Sequence, residues 1–140
     1  MHTCVEGRYI TVFRHRGQVS AIDSICHHAG GPLTAGALQD IEDLHARVVL
    51  CPWHHWMVDI QSGRKAYQSV DVSSGKPVNT GWKLGKVVQR VHAVREDASG
   101  LYVTLNCNEE VCASDGDACS ERCAGGLIPP LHSFRPVLQL

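Results

Sequence analysis

Residues 26–33, Cys26-His27-His28-Ala29-Gly30-Gly31-Pro32-Leu33, and residues 51–59, Cys51-Pro52-Trp53-His54-His55-Trp56-Met57-Val58-Asp59, decide how the rest of the chain is read. The first offers Cys-x-His, the second Cys-x-x-His, and twenty-two residues separate His28 from Cys51. Thiolates and imidazoles in such pairs are the donor set of a metal centre. Both stretches are rich in Gly, Pro and Trp, so they read as loops. The same four residues also write a structural Cys₂His₂ zinc site, but a zinc finger wants a helix to carry its His ligands, and none is legible here. Each pair has a decoy, because His27 stands beside Cys26 and His55 beside His54.

The segments around these loops read as strands. Tyr9–Phe13 and Gln18–Ile22 are β-branched or alternating around Arg16-Gly17, which predicts a hairpin leading to Cys26. Ala46–Leu50 is an apolar strand feeding Cys51, and Trp56–Ile60, a Gln61-Ser62-Gly63 turn and a strand near Lys65–Tyr67 form the outgoing hairpin. Asp71 to Gly85 shows turn formers without period and reads as a long loop. Val87–Arg95 and Leu101–Leu105 make the clearest hairpin, across Glu96-Asp97-Ala98-Ser99-Gly100. No internal repeat is evident, and the fold class is all-β.

On those two loops, the turn after Asp59 and the closing hairpin, roughly residues 5–106 resemble the Rieske [2Fe–2S] domain family, and within it the small soluble Rieske-type ferredoxins, which implies a domain over residues 1–106. The resemblance implies a Rieske-like antiparallel β sandwich or barrel with a cluster-binding subdomain made of two loops. It implies one [2Fe–2S] cluster per chain, with Cys26, His28, Cys51 and His54 as ligands and His27 and His55 as neighbours. In such a centre two His replace two Cys on one iron, which moves the potential to roughly −150 to +300 mV from about −400 mV. Ligand imidazoles keep an ionisable N–H, so electron and proton uptake are coupled. Respiratory-chain members carry a disulfide between the two loops, and at those places this chain has Gly31 and Trp53. Their cluster-bonding Ser and Tyr are here Trp56 and Val58, which predicts a potential low in the Rieske range. Trp53, Trp56, Pro32 and Leu33 form an apolar collar or serve as core residues. A Pro-containing third loop of the family falls near Pro77, a surface connection being the equal alternative there.

Composition bounds the function. At 140 residues, 44% hydrophobic and 19% charged, the chain suits one domain with a single core. A net charge of −1 and the lack of a basic stripe predict no nucleic-acid partner. No apolar run reaches the eighteen or so residues of a membrane span, and the first residues lack a secretory pattern. Free thiols fit a reducing intracellular compartment, cytoplasmic rather than mitochondrial matrix in our reading. Neither a Gly-rich nucleotide fingerprint nor a mononuclear-iron motif is present, and Glu42 and His45 read as surface residues. The chain therefore reads as an electron carrier, oxidoreductase only together with its redox protein partners, a reductase and an acceptor such as an oxygenase. The alternative is a non-catalytic regulatory or redox-sensing module in which the cluster is structural.

Two departures are expected. The resemblance starts so near Met1 that the opening strand reads as missing or shortened, leaving an unpaired neighbouring edge. Residues 107–140, with Cys107, Cys112, Cys119 and Cys123 at spacings unlike a zinc knuckle, read as a flexible tail.

Overall fold

The computed structural model describes residues 1–121. The strands are β1 (His2–Val5), β2 (Arg8–His15), β3 (Gln18–Asp23), β4 (Ala37–Ile41), β5 (Ala46–Leu50), β6 (Met57–Asp59), β7 (Arg64–Asp71), β8 (Val78–Val87), β9 (Val91–Asp97) and β10 (Gly100–Thr104). They form two five-stranded antiparallel sheets, ordered β1-β2-β3-β9-β10 and β4-β5-β6-β7-β8.

Local chemistry sets the hairpins. The β2–β3 turn is two residues long, with His15 opposite Gln18, and both Arg16 (φ 48°) and Gly17 (φ 77°) are left-handed. That geometry matches the twist of the flanking strands, and glycine occupies its second position without a Cβ penalty. β5 is apolar except for Arg47, because its valines are covered on both faces. Val49 packs with Phe13, Ile22, Cys26, Leu33, Cys51, Val58, Ile60 and Val88, while Val48 points the other way to Ile41 and Ala66. Cys26 and Cys51 thus belong to the central core.

Three expectations need correction. The stretch 71–85 is not a long loop: β8 pairs with β7 over most of its length, with two register shifts. As a solvent-exposed edge strand with Gly81 and Gly85, it lacks the burial alternation that marks a strand in sequence. Pro77 lies at the exposed end of that hairpin, immediately before β8, and the residue that packs onto the first metal loop is Gln89 instead. Of the two alternatives for the opening strand, it is short rather than missing, and all four residues of β1 pair with β2, so that edge of β2 is not unpaired.

Residues 107–120 are not a free tail. Cys112, Ser114 and Ala118 are buried, the last two completely, and Ala113–Gly116 form a 3₁₀ turn. The attachment is polar. Asp115 accepts two bonds from Arg90 (2.8 and 2.6 Å) and one from Arg8 (2.5 Å), and Arg8 also grips the fully buried Asp23 in a two-point pair (2.6 and 2.7 Å). Ser114 donates to Asp23 and accepts from the Arg90 N–H, and Asp23 accepts from the His92 Nε2 at 3.0 Å. Such charge-assisted bonds satisfy a carboxylate that burial would otherwise penalise. Cys123 lies outside the described residues.

Candidate metal centre

The two loops share one hydrogen-bond frame despite their different sequences. The Cys26 N–H donates to the Gly31 carbonyl and the Cys51 N–H to the Trp56 carbonyl, both at 2.8 Å. Gly30 N–H returns to the Cys26 carbonyl (3.0 Å) and His55 N–H to the Cys51 carbonyl (2.9 Å). The fifth residue of each loop is left-handed, Gly30 at φ 77° and His55 at φ 58°. His55 therefore occupies the loop-closing position that glycine fills in the other loop. A non-glycine residue there carries a backbone cost, held by the surrounding bonds.

This frame brings like side chains together. The Cys26 thiol lies against that of Cys51, both buried. The imidazoles of His28 and His54 meet edge to face, ring centres 4.9 Å apart, and both residues are exposed. Among the described residues, no three His, Cys, Asp or Glu side chains converge on one ion. Burial, reinforced by the neighbouring Cys51, pushes the Cys26 thiol up to about 12. A pair of desolvated thiols of this kind becomes thiolate when a cation sits beside it.

The surroundings fix this arrangement. Trp56 stacks on His28 at 4.9 Å, meets His27 edge-on at 5.4 Å and packs on the core with one side, whereas Trp53 is 43% exposed. Of the expected collar, Pro32 and Leu33 are buried and Trp56 half-buried. Gly31 leaves no room for a side chain, since a Cβ there would come within 2.7 Å of the Cys51 sulfur and 3.2 Å of the Trp53 ring. His27 is half-buried between Trp56 and Gln89, and its Nδ1 has no hydrogen-bond partner. Glu42 and His45 are exposed beside the 3₁₀ turn after β4.

One residue has no signal in the sequence. Gln89, fully buried between β8 and β9, donates its amide to the carbonyls of Asp23 (3.0 Å) and Ile25 (2.7 Å) and accepts from the His27 N–H (3.2 Å). Its neighbours Val88 and Arg90 bond to Ser114, so the first metal loop is tied through Gln89 to the Asp23–Asp115 network.

Two facing loops on paired antiparallel sheets, each presenting one Cys and one His, define a Rieske-type electron carrier. The chain belongs to the soluble Rieske-type ferredoxin family, whose pattern matches residues 1–108. It is 37% identical over 118 residues to the human Rieske domain-containing protein, covering 82% of this chain and 71% of that one. A 56-residue stretch, 40% of the chain, is 32% identical to the cytidine monophosphate-N-acetylneuraminic acid hydroxylase of Xenopus laevis, of which it spans 9%. The fold is that of the ferredoxin of carbazole 1,9a-dioxygenase from Nocardioides aromaticivorans (TM-score 0.51, 23% identity, covering 76% of this chain and 84% of that one). It matches equally a chain from the complex of reduced oxygenase and oxidized ferredoxin in carbazole 1,9a-dioxygenase (TM-score 0.50, 22% identity, 74% and 86%). No helix among the described residues is long and apolar enough to cross a membrane.

Proposed function

We propose that Cys26 and Cys51 hold one iron and His28 and His54 the other iron of a [2Fe–2S] cluster, and that the chain carries single electrons from a reductase to an acceptor such as an oxygenase. The observation that carries this reading is the sorting of like with like. Two thiols meet in the core and two imidazoles meet at the surface, the partition that a cluster with Cys on one iron and His on the other requires. When bound, the cluster supplies reversible one-electron chemistry.

The chain's own residues supply the rest. Burial of Cys26 and Cys51 limits water at the thiolates, and the Gly31–Cys51–Trp53 contact leaves no slack on that side. Trp56 fixes the plane of the His28 ring. The exposed imidazoles form the edge through which a docked partner exchanges an electron. The structural relative that forms a complex with an oxygenase supports an acceptor of that kind.

The test is iron and acid-labile sulfide analysis with EPR of the reduced, anaerobically purified protein. We expect two irons, two sulfides and a rhombic Rieske-type signal. Cys26→Ala and Cys51→Ala abolish them, and His27→Ala keeps the visible spectrum. Zinc in place of iron, or loss of the cluster in the His27 variant, would refute the assignment.

A further inference from the structure

The hairpin of β7 and β8 carries a charge imbalance that the fold itself does not use. Residues 64–87 contain Arg64, Lys65, Lys76, Lys83 and Lys86 against a single carboxylate, Asp71. Five cations less one anion give +4 in a chain whose total is −1, so everything outside the hairpin sums to −5. Among the described residues, the other arginines, Arg8, Arg14, Arg16, Arg47, Arg90 and Arg95, all pair with carboxylates. The hairpin cations have no such pair, and Arg64 donates instead to the Gly85 and Leu84 carbonyls.

This charge lies beside the metal centre. The Lys65 ammonium stands 5.7 Å from the Trp56 ring and 5.5 Å from the Tyr67 ring, and Trp56 stacks on His28. Lys83 is directly opposite Tyr67 in the β7–β8 register, hence on the same face, and Lys65 and Lys86 lie within electrostatic range of His27. An open groove of about 450 Å³ runs from His54 past Trp56, Met57 and Tyr67 to Trp82. The patch therefore combines uncompensated positive charge with apolar rings and ends at an exposed imidazole.

We infer that the β7–β8 hairpin is the landing surface for an acidic face of the redox partner, which it steers onto the His28–His54 edge. The inference rests on the carrier function proposed above and adds the sign of the partner's charge. Oppositely charged patches raise association rates by about 10- to 1,000-fold, an advantage that salt screens. An anionic bilayer would be drawn by the same charge. The aromatic groove and the imidazole at its end, however, favour a protein that exchanges electrons.

The test uses the reduced, cluster-loaded full chain in a stopped-flow instrument, oxidised by ferricyanide or by tris(1,10-phenanthroline)cobalt(III). One electron passes from the protein to each oxidant, giving ferrocyanide or the cobalt(II) complex. We expect the ferricyanide rate constant to fall about tenfold between roughly 0.01 and 0.5 M ionic strength although the chain is net negative. The cobalt reaction should stay flat or accelerate. Combining Lys65→Gln, Lys83→Gln and Lys86→Gln should remove most of the salt dependence at unchanged iron content and spectrum, whereas Arg95→Gln should not. Poly-L-glutamate should slow ferricyanide oxidation of the wild type and leave the triple variant unaffected.

A ferricyanide rate that rises with salt, or a triple variant indistinguishable from wild type, overturns the inference and leaves the carrier function standing. Co-sedimentation with phosphatidylserine vesicles without competition by poly-L-glutamate overturns it by assigning the patch to a membrane. Absence of iron and sulfide sinks the carrier function itself and this inference with it.

Discussion

Replacing Gln89 by Leu tests whether the first metal loop is held from behind. Leucine roughly conserves the volume of this fully buried side chain, so the loss is confined to three hydrogen bonds. Each such bond contributes about 0.5–1.5 kcal/mol, and a buried polar group left without a partner costs about 1–3 kcal/mol. The carbonyls of Asp23 and Ile25 sit in the core and the His27 N–H is half-covered, so the combined effect is about 2–4 kcal/mol. For a chain of this size that lowers Tm by on the order of 10 °C. Thermal melts followed by far-UV circular dichroism, with iron content measured alongside, provide the assay. We expect the melt to move by that amount and iron retention to fall, because the loop carrying Cys26 and His28 loses its anchor. A shift under about 2 °C with full iron content would show that the loop frame alone holds this geometry, refuting the role assigned to Gln89.

Two further outcomes follow from the packing and the charges. Gly31→Ala drives a Cβ toward the Cys51 sulfur and should cost about 1–3 kcal/mol with loss of iron, whereas Gly116→Ala, with nothing within 4 Å, should change stability by less than about 0.5 kcal/mol in urea titrations. Acid should loosen the anchored segment. Burial alone would raise Asp23, but bonds from His92, Arg8 and Ser114 outweigh it and hold the carboxyl below its usual range; Arg90 chiefly, then Arg8 against partial burial, does the same for Asp115. Carboxyls depressed in the folded state contribute stability above their unfolded pKa of about 3.9 and lose it as pH falls below that toward the folded values. Urea midpoints should thus drop below about pH 4, less steeply in Asp115→Asn; an equal drop in that variant would contradict the assignment.

The strands were legible where one face meets the core and the other meets water or a second core, as in β2, β3 and β5, because burial then writes a period or an apolar run into the sequence. β8 was not, since it lies at a sheet edge with little buried, so that Lys and Gly stand where a covered strand would show Val or Ile. The docked segment 107–120 escaped for another reason. Its attachment depends on Asp115 meeting Arg8 and Arg90, residues far away in sequence, and on small side chains such as Ser114 and Ala118 that carry no hydrophobic signal. At the candidate site the paired Cys and His motifs were legible, whereas the choice of His28 and His54 over His27 and His55 is what the family resemblance implies. What spacing does not show is that His55 closes its loop in a left-handed conformation, or that Gln89 braces the other loop.

The exposed edge of β8 has a second consequence. A ten-residue strand at a sheet margin offers unpaired backbone groups to any strand that drifts alongside, including the same strand of another copy. Lys83 and Lys86 along this strand make two copies repel, and the two register shifts in β7 spoil the flat template that stacking needs. Like charge thus keeps the molecules apart, and chemical acetylation of these lysines should remove that barrier to edge-to-edge association.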